Sequence, residues 1–252
     1  MKVSESEQLM KREARRFRQE QGLSDTEPLA VRSLLAKLGV LAVFRPLSGG
    51  FSGMAMLKQE NPFMLINSSQ SIGRQNFSIC HELYHLFIEK RTIAQISYAG
   101  RFPEKDEHEL QADWFAAHLL LPATGLEDVI PLAEQRRDKL SVATFLHVQH
   151  LYRCSRVVLL RSLKEKGIIS SVGYERLNQE SRQQAGLYGY TNYLNKLHDA
   201  QDPQTAYIIG GYGQLAKQLY DLELIGDMEY FAVLRHSGSS PEQQTDRLDE
   251  ED

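Results

Sequence analysis

The sequence predicts an α+β fold: a small antiparallel or mixed three-stranded sheet with helices, followed by an all-helical domain. Three observations carry this. Short apolar runs at 40–44, 53–57 and 63–66 are separated by turns containing Pro, Gly, Ser and Asn, the signature of strands. Stretches with helical spacing lie on both sides of them. Beyond residue 125 only helical stretches are expected, out to about residue 234.

Residues 4–21 are rich in strong helix formers, with Leu9, Ala14 and Phe17 as sparse apolar positions among many charges. That composition predicts a mostly solvated surface helix. A second helix is expected over 28–38. Pro28 suits its first turn, Leu29, Leu34, Leu35 and Leu38 form its apolar side, and Gly39 stops it. The three strands follow, and the turns at 46–50 and 58–62 are long enough for an antiparallel meander. Ser71 or Gly73 starts a helix running to about Glu89, and another is expected over 104–121, between Pro103 and Pro122. Further helices are expected at 125–135, 141–152 and 156–166, with Gly167 closing the last. The stretch 181–234 reads as helical, broken by Gly186, Gly189, Pro203 and the pair Gly210 and Gly211. The segment 237–252 carries Glu242, Asp246, Asp249, Glu250, Glu251 and Asp252 against Arg247 alone, which predicts disorder. The organisation expected is thus a domain over 1–125, a helical domain over 126–236 and an acidic tail over 237–252.

Composition narrows the function class. Hydrophobic residues at 42% and charged residues at 25% of 252 match a globular chain and argue against one disordered throughout. With 29 basic and 33 acidic residues the net charge is −4, so the protein as a whole is not a basic nucleic-acid binder. Two cysteines, Cys80 and Cys154, cannot build a disulfide framework and suit a reducing compartment. The first residues are too charged for a signal peptide, and no apolar run is long enough to span a bilayer. A soluble, cytoplasmic protein without a membrane partner is expected.

The chemistry sits in two segments. His81-Glu82-Leu83-Tyr84-His85 has the form HExxH. On a helix, residues four apart lie within about 40° of each other, so both imidazoles can reach one cation. Imidazole nitrogen suits zinc, and Glu82 is placed to deprotonate a metal-bound water. The five-residue pattern also occurs where two histidines are merely packed, so a second feature is needed. A catalytic zinc takes three protein ligands and keeps one position open. Glu109 and Asp113 lie four apart in the helix expected downstream, on a face bordered by Ala112 and Ala116. Small residues there let that helix approach the HExxH helix. Glu109 is then the candidate third ligand, and Asp113 the candidate acceptor for the second ring N–H of a zinc histidine. Two histidines and a carboxylate also suit manganese or iron.

Neighbouring residues read as packing. His118 falls on the opposite side of its helix from Glu109, and His108 about 100° away, where it could border the site as a cation. Cys80 is expected as a buried, inert thiol, and Trp114 and Phe115 as core.

HELYH followed by ExxADxFAAxLLxP resembles the ImmA/IrrE family of bacterial metallopeptidases, zincins of the glutamate-ligand type. The resemblance is specific over residues 30–125 and weaker over the helical remainder. It implies a zincin-like fold, a zinc cofactor, His81, His85 and Glu109 as ligands, and Glu82 as general base. It also implies a substrate class: a helix-turn-helix transcriptional repressor, cut in a stress or mobile-element response. One position departs. The family commonly has glycine where this chain has Tyr84, whose ring would border the metal face. It could narrow the cleft, donate to the developing oxyanion, or pack; packing is the favoured reading.

Residues 136–166 hold eight basic side chains against Asp138 and Glu165, a local excess of six. Two short helices around 153–155 make 140–169 loosely suited to a helix-turn-helix. A solvated basic face is favoured over direct nucleic-acid binding, which needs the charges on one surface. The leading reading is a zinc metallo-endopeptidase acting on a protein, with the strand edge at 53–57 holding the substrate extended. The competing one is an anti-repressor or binding module with a structural or vestigial metal site. An intact Glu82 favours the peptidase, because a purely structural site has no use for it.

Overall fold

The computed structural model describes residues 3–48, 50–90, 95–97, 106–190, 194 and 206–236. The chain is α+β, as the sequence predicts. It opens with α1 (Val3–Glu20) and α2 (Val31–Lys37), followed by β1 (Leu41–Arg45), β2 (Gly53–Lys58) and β3 (Asn61–Asn67). Next come α3 (Ile72–Leu83), a π-helical turn over Tyr84–Ile88, β4 (Gln95–Ser97) and α4 (Glu107–Leu120). The helices α5 (Ala123–Val129), α6 (Val142–Leu151), α7 (Arg156–Glu165) and α8 (Ser171–Gln184) precede β5 (Tyr207–Ile209), α9 (Tyr212–Asp221) and α10 (Asp227–His236). The expected acidic tail at 237–252 lies outside the described residues.

The sheet is mixed, with strand order β4-β2-β3-β1-β5. This corrects the expected meander: β1 does not pair with β2 but runs parallel to β3, in the register Leu41 with Phe63 to Arg45 with Asn67. The β2–β3 hairpin is antiparallel, and its turn is Gln59 and Glu60, both at positive φ (49° and 66°). The link from β1 must therefore cross the end of β3. Asn67 at that end holds it, donating from Nδ2 to the carbonyls of Leu47 and Phe51 and accepting from the Leu47 amide. Two further strands occur where none was expected. β4 pairs with β2, and β5, within the stretch read as helical, pairs with β1. The Tyr207 ring stacks on its cross-strand neighbour Phe44 at 4.3 Å, and its hydroxyl accepts from Arg32 Nε at 2.7 Å.

One face of the sheet is made by Ala42, Phe44, Ala55, Met64 and Ile66, all buried, and α3 packs against β2 and β3. α3 is held from its other side by α4, where Ala112 and Ala116 are fully buried. α1 lies along α4 with one side in solvent, but it buries more than its sparse apolar positions suggested. Met10, Ala14 and Phe17 are buried, and so is Arg18, 2% exposed. The Arg18 guanidinium finds carbonyls instead of a carboxylate, donating to Ser24 and Leu119 at 2.7 Å each and to Glu27. These bonds satisfy a charge that would otherwise be costly to bury, and they tie α1 to the end of α4.

Past α5 the helices pack on the same core. The turn between α6 and α7 sits against the first turn of α3. A Cβ on Gly73 would come within 2.6 Å of the Ser155 nitrogen, so only glycine fits there. Asn76 Nδ2 donates to the Arg153 carbonyl at 2.8 Å, across the same contact. Among the described residues no helix is long and apolar enough to cross a membrane.

Candidate metal centre

Two helices build the site. α3 carries His81 and Glu82 in its last turn, and the π-turn that extends it carries Tyr84 and His85. The Glu89 amide bonds the Tyr84 carbonyl five residues back at 2.9 Å, so the helix widens by one residue here. Such widened turns are frequent at functional sites. α4 supplies Glu109 from its first turn. Asp106 caps that turn, accepting from the amides of His108 and Glu109. The positive end of the α4 dipole therefore lies beside the Glu109 carboxylate.

The donor atoms converge. His81 Nε2 is 3.2 Å from His85 Nε2 and 3.0 Å from Glu109 Oε2, and His85 Nε2 is 3.4 Å from Glu109 Oε1. One ligand atom from each of the three lies within 4.8 Å of the others. Bonds of about 2.0–2.1 Å at tetrahedral angles put neighbouring donors roughly 3.3 Å apart, so this donor set fits zinc. His81, His85 and Glu109 are all largely or fully buried.

The outer nitrogens are held as well. His81 Nδ1 donates to Asp113 Oδ1 at 2.8 Å, which turns Nε2 toward the cluster, where a cation would take the place of its proton. His85 Nδ1 meets Glu89 Oε2 at 2.5 Å. Glu89 also reaches across to His108, whose Nδ1 is 3.6 Å away, so the exposed His108 borders the site through Glu89. Glu89 escaped the sequence reading. The signal was there, because Glu89 follows His85 by four residues on the same helix.

Electrostatics match a site made for a cation. Burial alone would lower the His81 pKa, but the Asp113 and Glu109 carboxylates outweigh it and raise it to about 10. Burial would raise the Glu109 pKa, but His81 and His85 hold it well below the usual carboxylate range. Without a metal, a proton on His81 supplies the positive charge that the carboxylates demand.

Glu82 is fully buried, with its carboxylate beneath β2 at Gly53. A Cβ at Gly53 would lie 3.0 Å from Glu82 Oε1, so the missing side chain makes room for the carboxylate. No local pattern announces Gly53, since its neighbour comes from another element. The strand edge expected to hold substrate is altered too: β4 occupies β2 from Gly53 to Ala55. The Tyr84 ring packs edge-on to His85 at 5.3 Å and against Phe115, and its hydroxyl donates to Gln111 Oε1 at 2.6 Å. Cys80 is fully buried, and burial pushes its thiol up to about 12. His118 points away toward Glu7, and burial together with Lys11 and Lys166 lowers its pKa to about 4.

The profile of the IrrE N-terminal-like domain family, peptidase M78, matches residues 35–164, which is 130 of 252 residues and spans every element of the site. No curated protein matches the sequence. With a match over more than half its length, the chain belongs to the IrrE N-terminal-like family of M78 metallopeptidases.

Proposed function

We propose that the protein is a zinc-dependent endopeptidase that cuts a peptide bond in a protein substrate, with His81, His85 and Glu109 as the metal ligands. The observation that carries this reading is the convergence of two imidazoles and one carboxylate beside a separate buried carboxylate, Glu82. A structural site needs only the first three. Zinc held by His81, His85 and Glu109 would supply Lewis acidity toward a water molecule and the scissile carbonyl. Glu82 takes a proton from the attacking water and passes it to the departing amine nitrogen as the C–N bond breaks. Asp113 and Glu89 fix the two imidazoles so that both Nε2 atoms point at one place. Manganese or iron would be held by the same donors.

The substrate we propose is a helix-turn-helix transcriptional repressor, cut in a stress or mobile-element response in the cytoplasm. This rests on the ImmA/IrrE resemblance. Extended substrate would pair with the outer edge of β4 or with β2 beyond Ala55, since β4 already covers Gly53–Ala55. Direct DNA reading by 136–166 is disfavoured on packing. A recognition helix presents its N-terminal residues to the groove. Here Arg156, the first residue of α7, is 6% exposed, and the turn before it is closed against Gly73 and Asn76.

The test is incubation of the zinc-loaded protein with helix-turn-helix repressors of the same genome. Discrete fragments are expected, lost with a chelator and lost in Glu82→Gln, which should keep its zinc. General-base removal costs roughly 10²–10⁴-fold in rate. A repressor inactivated equally well by Glu82→Gln would sink the mechanism and leave a binding protein.

A further inference from the structure

The last two described helices carry far more apolar surface than they bury. α9 and α10 have ten residues each. Isolated helices shorter than roughly 12–15 residues are marginal in water, so both depend on tertiary cover. Yet Ala216 and Leu234 are the buried hydrophobic residues among their described side chains. Seven of the thirteen exposed large hydrophobic residues in the described chain fall between 215 and 231. Leu215, Leu219, Leu222, Leu224, Met228 and Phe231 are exposed to between 42% and 86%. Together they offer apolar surface on the order of the 800 Å² that each partner contributes to a standard interface. Exposed apolar area on that scale within one helical hairpin marks an interaction surface.

Charge identifies the occupant. Leu215, Leu219 and Leu222 fall within about 60° of one another around α9. Gln214 and Gln218 flank them on one side. Lys217 and Asp221, paired with each other at 2.9 Å, lie about 160° around the helix from Leu219. The stripe is therefore uncharged, as interface cores are, and a second copy of it brings no like charge against it. The rest of the hairpin is acidic on balance, with Asp221, Glu223, Asp227 and Glu229 against Lys217 and Arg235, which disfavours nucleic acid and anionic lipid.

We propose that this hairpin is the face on which two copies of the chain associate. α9 packs antiparallel to α9 of the second copy about a two-fold axis near Leu219, and the two α10 helices complete a four-helix bundle. The contact is isologous and leaves the metal centre of each copy independent.

Sedimentation equilibrium of the full chain tests this. The wild type is expected at twice 28.8 kDa, and Leu215→Glu/Leu219→Glu at 28.8 kDa with an unchanged far-UV spectrum. Leu219→Cys gives a second readout. Near a two-fold axis it should yield an oxidised dimer on a non-reducing gel, whereas Leu132→Cys, exposed but outside the hairpin, should not. Cys80 and Cys154 are buried and do not confuse the assay. A monomeric wild type, as expected if another segment of this chain covers the stripe, overturns the proposal. So does a dimer that survives the double variant, or equal cross-linking through Leu132→Cys.

Discussion

Gly53 and Glu82 are fitted to each other: the space a side chain would fill at Gly53 is taken by the Glu82 carboxylate, 3.0 Å from where a Cβ would stand. The two residues come from different elements, a strand and the active-site helix. Their contact sets where the proposed base points. Gly53→Ala should push that carboxylate by a few tenths of an ångström without touching His81, His85 or Glu109. Misplacement on this scale costs roughly tenfold or more in kcat. Zinc content and KM should stay near wild type, and an unchanged kcat would show that Glu82 tolerates the shift.

Glu89 and Asp113 hold the outer nitrogens of the two histidines, at 2.5 Å and 2.8 Å. Loss of such a partner typically weakens metal binding by about 10–100-fold. Glu89→Gln and Asp113→Asn should each raise the zinc dissociation constant by that order in a competition titration with a chromogenic chelator. Glu109→Ala, which removes a donor itself, should do more, leaving little zinc after gel filtration. If Glu89→Gln binds zinc as tightly as wild type, its contact with His85 is incidental.

The raised His81 pKa makes the metal-free protein sensitive to pH. In the unfolded chain an ordinary histidine titrates near 6.5, while in the fold His81 holds its proton up to about 10. The stability from its contacts with Asp113 and Glu109 is therefore fully present below pH 6.5 and is lost as pH rises through about 10. With a chelator present, thermal unfolding temperature should fall across that window, and Asp113→Asn should flatten the fall. Zinc must displace the His81 proton, so its affinity should rise with pH over the same range. A metal-free protein equally stable at pH 7 and pH 10 would contradict this.

The β2–β3 turn carries a strained pair, Gln59 and Glu60, both at positive φ. Non-glycine residues there cost about 1–2 kcal/mol each, and two-residue turns of this kind favour Asn-Gly. Gln59→Asn combined with Glu60→Gly should stabilise the protein by about 1 kcal/mol in urea unfolding. The turn lies at the far end of β2 from Gly53, so activity should not change.

Much of this protein is written locally in its sequence. The spacing of His81, Glu82 and His85, and of Glu109 and Asp113, places each set on one helix face, because a helix's side-chain directions follow from its own backbone. The pairing of Ala112 and Ala116 with the active-site helix was legible for the same reason: small residues mark a close approach. Helix ends at Gly39, Pro122 and Gly167 were likewise legible, since backbone chemistry acts within a few residues. What depends on distant partners was decided only in three dimensions. Three residues, as in Gln95–Ser97 or Tyr207–Ile209, are too few to show alternation, so β4 and β5 exist by virtue of the strands they join. The parallel pairing of β1 with β3 depends on Asn67 holding a link that the sequence presents merely as a turn. Arg18 is one more charge among many in its segment until three carbonyls, two from the link after α1 and one from the end of α4, surround it. Gly53 acquires its role only when Glu82 arrives beside it, because a residue's nearest neighbours in space are set by the packing of whole elements and not by the chain on either side of it.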